Sequence, residues 1–242
     1  MIEVRKLTRR FGSVVAVNDV SFAIEPGTIV GFLGPNGAGK STTMRLLAGY
    51  LRPDSGSATV AGHDVQLQKR RVQEQLGYLP ETATGFAHLT VRQFLTFCAE
   101  VRGLWGKNCK TAIIGVGEST QLTPALDRKI GTLSKGWRQR AWFAQALLHD
   151  PPVLILDEPT DGLDPNQKLH IHQFLQDRAA HKTIILSTHN LEEAEAICGR
   201  VIIISEGRIK ADAQKADLVE DYSGLKSAFH HFTGYKSEDV RA

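Results

Sequence analysis

The sequence has few cysteines and no long run of apolar residues. Cys98, Cys109 and Cys198 are scattered and form no CxxC pair, which argues against a disulfide framework or a zinc site and is typical of a reducing compartment. No apolar stretch approaches the roughly 20 residues that a membrane-spanning helix needs, and the first residues lack the apolar core of a signal peptide. We therefore expect a soluble chain, which could serve a membrane only through a partner.

A marked excess of either charge is also absent. The 29 basic and 26 acidic residues leave a net charge of +3. Nucleic-acid-binding proteins concentrate basic residues on one face, and this balance gives no support for such a surface, so nucleic acid is not an expected partner. The hydrophobic share of 42% and the length of 242 residues suit a globular protein with one domain, or one domain with an inserted lobe.

Hydrophobic periodicity predicts strands and helices that alternate along most of the chain. Apolar and polar residues alternate over 2–5 and 20–25, as in a half-buried sheet, and a helical run over 40–51 follows a glycine-rich stretch. Nearly continuous apolar runs, typical of buried parallel strands, lie at 28–33, 76–79, 153–156, 183–186 and 201–204. This pattern predicts an α/β fold in which helices cover a mostly parallel sheet.

The segment between the apolar runs at 76–79 and 153–156 does not show the same alternation of strands and helices. Residues 82–133 are helix-like and rich in loops, and Thr90 with Gln93 forms a capping-box pattern at one helix start. Beyond Ala213 the chain is polar and only weakly periodic, which predicts a closing helix with a frayed end.

A glycine-rich loop that matches GxxxxGK[ST] joins the strand at 28–33 to the helix after it. Its glycines let backbone N–H groups turn toward phosphate oxygens, and the positive end of the helix points at the same anion. Lys40 supplies a charge for the outer phosphates, and the Ser41 hydroxyl can ligate Mg²⁺. The alternative is a glycine-rich turn that happens to end in Lys-Ser, whereas a dinucleotide-binding GxGxxG motif is excluded because position 42 is threonine. The candidate nucleotide-binding residues here are Gly34, Pro35, Asn36, Gly37, Ala38, Gly39, Lys40, Ser41 and Thr42.

Two carboxylates, Asp157 and Glu158, directly follow the apolar run 153–156. In a parallel sheet the C-terminal ends of the strands face the ligand crevice, so both acids are expected where the phosphates lie. Asp157 can then hold Mg²⁺, and Glu158 can polarise an attacking water as a general base. The alternative is a solvated turn before Pro159, and the phosphate-binding loop earlier in the chain favours the catalytic interpretation.

A third motif indicates which class of phosphate-binding-loop protein this is. Residues 133–140 read Leu-Ser-Lys-Gly-Trp-Arg-Gln-Arg and resemble the signature, usually written LSGGQ, of the ABC family of ATP-binding proteins. Ser134 is expected to begin a helix and Gly136 to permit close approach, so this helix start is a second anion-binding end. The resemblance implies that Ser134, Lys135 and Gly136 act on ATP held by a second subunit.

Further motifs follow along the chain in the same order as in the ABC family. Residues 160–164, Thr-Asp-Gly-Leu-Asp, are similar to the D-loop, and Asp164 is expected to cap the helix that begins at Pro165. His189 matches the switch histidine that contacts the γ-phosphate, with a structural histidine at a strand end as the alternative. Phe11 lies where the family stacks an aromatic ring on adenine, although a lone Phe can also belong to the core.

The resemblance covers residues 2–215 and implies the architecture of an ABC ATPase. This architecture is an α/β P-loop NTPase with a mostly parallel central sheet, an N-terminal antiparallel β subdomain and an inserted helical subdomain. We expect the whole chain, 1–242, to be one such domain. The helical subdomain is expected at about 82–150 and a short C-terminal tail at about 214–242.

The same resemblance implies an activity and partners. ATP is hydrolysed with Mg²⁺ as cofactor, and hydrolysis drives a solute through separate membrane-spanning subunits, with this subunit peripheral on the cytoplasmic face of the membrane. Two copies, or this chain and a homologous partner, close head-to-tail so that each ATP lies between Lys40 of one subunit and Ser134 of the other. The signature and residues 78–81 look like the exporter-type branch, which includes multidrug and gliding-motility-associated ATPases. The substrate and the choice between homodimer and heterodimer do not follow from the sequence.

Glu81 departs from the family pattern. The family usually has glutamine here, where it ligates Mg²⁺ and the attacking water and senses the membrane partner. Glu81 can still ligate Mg²⁺, but its charge is repelled by the nearby polyanion, so we expect weaker ligation with the sensing role retained. A solvated loop residue is the alternative. The membrane partner is expected to contact the residues that follow, 82–90.

The signature also departs, because Lys135 and Trp137 replace Gly and Gln. Trp137 is expected to pack, and Lys135 to face solvent or to add charge toward the nucleotide. Two other functions fit parts of the sequence. A soluble ABC ATPase acting on ribosomes or DNA would resemble tandem cassettes or one split by long coiled coils, neither of which this sequence has. A regulatory cassette that barely hydrolyses ATP would suit Glu81 and Trp137, but the intact loop, carboxylate pair and switch histidine argue against it.

Overall fold

The computed structural model describes residues 1–82 and 84–234. Their strands are β1 (Ile2–Phe11), β2 (Val14–Ile24), β3 (Ile29–Leu33), β4 (Ser55–Val60), β5 (His63–Asp64), β6 (Leu76–Leu79), β7 (Val153–Asp157), β8 (Thr183–Thr188), β9 (Arg200–Ser205) and β10 (Arg208–Gln214). Their α-helices are α1 (Lys40–Leu47), α2 (Lys69–Glu74), α3 (Val91–Val101), α4 (Gly106–Ser119), α5 (Lys135–Leu147), α6 (Pro165–Ala179), α7 (Leu191–Ile197), α8 (Lys215–Tyr222) and α9 (Leu225–Thr233).

Within these residues the larger sheet has the strand order β10-β9-β3-β8-β7-β6. All neighbours in it pair in parallel except β10, which pairs antiparallel with β9. Alternate residues of β8 enter two hydrophobic clusters, Ile184 and Leu186 one cluster and Ile185 the other. Both faces of the sheet are thus covered, which is why its central strands are continuous apolar runs in the sequence. The predicted mostly parallel sheet is confirmed.

The smaller sheet contains the N-terminal strands in the order β2-β1-β4-β5, all antiparallel. Ile2, Val4 and Leu7 of β1 are buried, while the residues between them are partly or fully exposed, so this sheet covers the core with one face. The rings of Phe22 and Phe32 lie 5.7 Å apart and connect this sheet to β3. The predicted antiparallel β layer is confirmed.

Helices α3, α4 and α5 lie between β6 and β7 in the chain, inside the segment 82–150 that the sequence predicts to be a helical subdomain. Thr90 and Gln93 form the expected capping box, with the Gln93 N–H donating to Thr90 Oγ1 at 3.1 Å and the Thr90 N–H to Gln93 Oε1 at 2.9 Å. Across the described ranges, the helices are too short or too polar to cross a membrane.

Two helix boundaries differ from the sequence prediction. Helix α1 ends at Leu47 rather than near residue 51, because Gly49 takes a φ of +70°, which ends a helix at low cost for glycine. The single closing helix predicted beyond Ala213 is two helices, α8 and α9, separated where Ser223 and Gly224 both have positive φ. The frayed end predicted for the tail falls on residues 235–242, which lie outside the described residues.

Candidate nucleotide-binding and catalytic site

Four neighbouring parallel strands, β3, β8, β7 and β6, end at one edge of the central sheet. The glycine-rich loop follows β3, and His189 follows β8. Asp157 ends β7 with Glu158 next to it, and Glu81 follows β6 after Pro80. Because the C-terminal ends of parallel strands meet a common crevice, the sheet brings together segments that lie far apart in the sequence.

The loop between β3 and α1 encloses a cleft of about 350 Å³, which Glu81 and Glu158 line from the other side. Gly37 and Gly39 have φ values of +79° and +106°, a region that favours glycine. A Cβ on Gly39 would also collide with the carbonyl oxygen of Ala16 in β2. The glycines therefore let the loop turn tightly against the antiparallel sheet and keep its backbone open to the cleft.

Lys40 begins α1 and is 7% exposed. Its ammonium donates to the carbonyl oxygens of Gly34 at 2.7 Å and Pro35 at 3.2 Å, both in its own loop. Burial lowers the pKa of Lys40, and the three nearby carboxylates oppose this shift without cancelling it. A point charge held over a glycine-rich loop can exchange these carbonyls for the oxygens of an anion in the cleft.

Asp157 is fully buried at the end of β7. Ser187 donates its hydroxyl proton to Asp157 Oδ1. The other carboxylate oxygen, Oδ2, is buried and has no hydrogen-bond partner among the residues that the structure describes. Burial raises the pKa of Asp157, with the hydrogen bond from Ser187 acting in the opposite direction. An unpaired buried carboxylate oxygen is costly, and a bound cation would satisfy it.

Glu158 and His189 form a contact pair, with Nδ1 of His189 at 2.8 Å from Oε1 of Glu158. Glu158 has a φ of +52°, uncommon for a residue with a side chain, and its N–H donates to the Ser187 carbonyl oxygen at 3.1 Å. Burial raises the pKa of Glu158, and the His189 hydrogen bond and the charge of Lys40 lower it by less. A carboxylate whose pKa lies above its ordinary range is suited to accept a proton.

Ser41 and Glu81 connect α1 to the loop after β6. The Ser41 hydroxyl donates to Glu81 Oε2 at 3.1 Å. Glu81 is exposed, lines the cleft and acts electrostatically on both Lys40 and Asp157. Its carboxylate therefore points into the cleft and not away into solvent.

The signature residues lie at the start of α5 and are not among the described residues that line this cleft. Ser134 occupies the N-cap position and is exposed, and within the described part of the chain its side chain makes no capping hydrogen bond. Lys135 is 62% exposed, as expected for a lysine, but it also forms a 2.7 Å ion pair with Asp161, which the sequence did not indicate. A Cβ on Gly136 would approach the carbonyl oxygen of Gly162 to 2.9 Å. The α5 start thus packs on the loop after β7, and its exposed serine faces outward.

Two further residues of the site have contacts that the sequence does not indicate. Gln139 of α5 donates its amide to the carbonyl oxygens of Glu158 at 3.0 Å and Pro159 at 3.4 Å, which ties the signature helix to the carboxylate pair. Ser187 holds both residues of the carboxylate pair, since its hydroxyl donates to Asp157 Oδ1 and its carbonyl oxygen accepts the Glu158 backbone N–H. The sequence shows it only as one of many residues at a strand end. Trp137 packs against the core as predicted, with the Arg140 guanidinium 3.8 Å from its ring centroid.

Asp164 and Phe11 lie at the margin of the site. Asp164 caps α6, as predicted, with Oδ1 accepting from the Gln167 N–H at 2.9 Å. Phe11 ends β1, is 45% exposed, and has the Arg9 guanidinium 4.8 Å from its ring centroid. Its ring is therefore accessible and not part of the core.

Comparisons with known proteins agree with this geometry. A family model described as ABC transporter matches residues 17–161. Nod factor export ATP-binding protein I of Burkholderia orbicola is 36% identical over 224 residues, 92% of this chain and 74% of that protein. An uncharacterized ABC transporter ATP-binding protein of Bacillus subtilis is 36% identical over 218 residues, 90% of this chain and 72% of that protein.

Solved structures show the same fold. The ATP-binding subunit of an ABC transporter superposes with a TM-score of 0.88 at 28% identity, covering 96% of this chain and 99% of its own. A dimeric ATP-binding cassette in a post-hydrolysis state, bound to ADP and phosphate, superposes with a TM-score of 0.81 over 88% of this chain and 98% of its own. At 22% identity, the second likeness speaks only to the fold.

Proposed function

Because the chain belongs to the ABC transporter family of ATP-binding proteins and is an ATPase subunit of such a transporter, we propose that it drives the export of a solute through separate membrane subunits. The observation that carries the proposal is the convergence of Lys40, Asp157, Glu158 and His189 at one edge of the sheet, as the chemistry of ATP hydrolysis requires. The direction of transport rests on relatives named for Nod factor export.

The loop Gly34–Ser41, with Thr42 after it, binds the phosphates of ATP. Backbone N–H groups and the start of α1 meet the anion, and Lys40 moves its ammonium from the loop carbonyls to the outer phosphates. Phe11 stacks on adenine, a role supported by its accessible ring at the end of β1.

Ser41, Asp157 and Glu81 hold Mg²⁺. The fit is supported by the unpaired buried Oδ2 of Asp157 and by the oxygen donors that Ser41 and Glu81 present side by side, since oxygen ligands are those that Mg²⁺ prefers. When bound, Mg²⁺ neutralises charge on the phosphates. Glu81 contributes a carboxylate where the family usually has a neutral amide. The negative phosphates repel this carboxylate, so its ligation of Mg²⁺ is weaker than that of the usual glutamine.

Glu158 acts as the general base. Its Oε atoms accept a proton from the water that attacks the γ-phosphate, while His189 holds Oε1 in place and contacts the γ-phosphate itself. Burial supports this role because it raises the pKa of the carboxyl and excludes competing water.

The second half of each site is contributed by another subunit, a homodimer or a heterodimer partner. Ser134, Lys135 and Gly136 at the start of α5 meet the ATP that the other subunit binds, and Asp164 lies in the D-loop at the same interface. This arrangement is supported by the exposure of Ser134, by the lack of a capping hydrogen bond from its side chain within the described part of the chain, and by its absence from the described lining of its own subunit's cleft. Since ATP supplies the charge that joins two positive helix ends, hydrolysis weakens the dimer.

The membrane subunits dock at the cytoplasmic face, along 82–90 and the adjoining groove. This groove of about 390 Å³ is lined by the aromatic rings of Tyr50, Tyr78 and Trp142 and by Arg45 and Arg102. Tyr50 is 58% exposed, and its ring lies 5.2 Å from that of Tyr78, so the groove presents exposed aromatic surface that a membrane subunit could cover.

The proposal is tested by isolating the membrane partner and measuring whether it stimulates ATP turnover. The tagged chain is expressed in its source cells, and membranes are solubilised in detergent; a polytopic membrane protein should co-purify and, in proteoliposomes, raise ATP turnover. Tyr50→Glu in the groove should lose this partner, whereas Leu67→Glu, at a site that is 87% exposed outside the groove, should keep it. Co-purification of ribosomal or DNA components in place of a membrane protein would overturn the proposal.

A further inference from the structure

Glu193 is a buried carboxylate directly behind the pair formed by Glu158 and His189. It lies in α7 and is 4% exposed. The Thr160 hydroxyl donates to its Oε1 at 2.8 Å, and the Thr188 hydroxyl donates to its Oε2 at 2.7 Å. His172 Nε2 of α6 lies 3.2 Å from Oε1. One side chain thus joins the loop after β7, the end of β8 and α6.

The two threonines are placed next to the catalytic pair. Thr160 follows Glu158 by two residues, and Thr188 directly precedes His189. Each oxygen of the Glu193 carboxylate therefore holds one of the two backbone segments that carry the Glu158–His189 contact. The 2.8 Å separation in that contact depends on both segments keeping their positions.

A buried carboxylate is retained only where its partners offset its loss of hydration. Burial acts to raise the pKa of Glu193, but the hydrogen bonds from His172, Thr188 and Thr160 outweigh it and leave the pKa below its ordinary value. The group is accordingly ionised at neutral pH and accepts both threonine hydroxyls. Replacing a buried ionic group by apolar residues of similar volume is often neutral for stability, so the retention of this carboxylate points to a role beyond packing.

We propose that Glu193 is a positioning residue for ATP hydrolysis, which sets the distance between Glu158 and His189 by holding Thr160 and Thr188. This inference rests on the roles proposed for Glu158 and His189. Glu193 itself touches neither nucleotide nor water in the reaction. Its contribution is the placement of the base, and a misplacement of about 1 Å at such a site can cost roughly 10²-fold in rate.

The experiment measures kcat and KM for ATP in Glu193→Ala, Glu193→Gln and the control Glu192→Ala, an exposed neighbour on the same helix. Glu193→Ala should lower kcat about 10- to 100-fold with KM changed by less than about twofold. Glutamine has the same shape and can pair with both hydroxyls, so Glu193→Gln should recover most of the rate. Glu192→Ala should match the wild type. An Ala variant that folds and keeps its kcat overturns the inference.

A double-variant cycle separates positioning from general loss of structure. In the Glu158→Gln background the base is already gone, so adding Glu193→Ala should lower the residual single-turnover rate by less than about twofold. A loss as large as in the wild-type background would contradict the inference. If Glu193→Ala fails to fold, the isosteric Thr160→Val and Thr188→Val take its place, and unchanged kcat in both overturns it. If kcat is normal in the Glu193 variants but falls in Glu158→Gln, only the positioning role of Glu193 is refuted. If kcat is normal in Glu158→Gln, the proposed role of Glu158 as general base is refuted.

Discussion

The imidazole of His189 lies 2.8 Å from the carboxylate of Glu158, although the two residues are 31 positions apart in the chain. The two side chains differ in their surroundings, since that of Glu158 is 11% exposed and that of His189 is 63% exposed. The carboxylate is therefore shielded, while the imidazole is open to solvent. A base held in this way can accept a proton from water while its partner contacts the nucleotide.

Replacing Lys40 with alanine is expected to abolish ATP hydrolysis. The variant removes the point charge over the phosphate loop, and the loss of one such stabilising group typically costs about 10²-fold or more. The measurement is steady-state phosphate release at saturating ATP and Mg²⁺. Lys107→Ala, at an exposed position on α4, provides the control and should hydrolyse normally. A normal rate in Lys40→Ala would refute the assignment of the loop.

Asp157→Asn is expected to stabilise the nucleotide-free protein while abolishing metal-dependent hydrolysis. Since burial raises the pKa of Asp157, the native state holds this proton more tightly than the unfolded state. The stabilising contribution of Asp157 is therefore fully present below the pKa that it has in the unfolded state. It is lost as the pH rises through the pKa that it has in the folded state. At neutral pH the ionised carboxylate therefore destabilises the folded protein. Its replacement by the neutral amide should raise the free energy of unfolding by on the order of 1 kcal/mol.

Urea unfolding in EDTA at several pH values checks this prediction. The advantage of Asp157→Asn over the wild type should be largest near neutral pH and should shrink as the solution is made more acid. The exposed Asp127, which pairs with Arg92, is a control whose Asn variant should not gain stability. A nucleotide-free Asp157→Asn protein less stable than the wild type at neutral pH would show that Oδ2 is satisfied in solution.

Glu81→Ala is expected to weaken the use of Mg²⁺. The Ser41 hydroxyl donates to this carboxylate, so the variant removes an oxygen from the proposed metal shell. Half-maximal hydrolysis should then require roughly tenfold more Mg²⁺, while Glu81→Gln, which keeps an oxygen ligand, should stay near the wild type. If both the Mg²⁺ dependence and the turnover stimulated by the membrane partner are unchanged in Glu81→Ala, the residue has neither proposed role.

Local motifs in the sequence predicted the fold and the nucleotide-facing side of the site. The apolar runs predicted the strands because a strand buried on both faces must be apolar throughout, and the glycine-rich loop indicated the start of α1. The carboxylates after β7 could be placed at the sheet edge without knowing the strand order. These inferences depend on neighbours in the chain or on a rule that holds for every parallel sheet.

Contacts between distant segments could not be predicted in the same way. The ion pair between Lys135 and Asp161 and the amide bonds of Gln139 depend on how α5 packs on the loop after β7. In the sequence, Glu193 looks like an ordinary acidic residue in the first turn of a helix. Such a residue is usually solvated and interacts favourably with the positive end of the helix dipole. Only the packing of α7 against β8 and α6 makes it a buried partner of Thr160.

We propose that this chain holds half of each ATP site and that a second subunit supplies the other half at Ser134. The most direct test is the molar mass of Glu158→Gln by light scattering, with ATP and Mg²⁺, with ADP, and without nucleotide. The variant should hydrolyse ATP about 10²–10⁴-fold more slowly and should accumulate as a dimer only with ATP. The same variant carrying Ser134→Glu should bind ATP and remain a monomer. A Glu158→Gln protein that binds ATP but stays monomeric under all three conditions would contradict a site shared between two subunits.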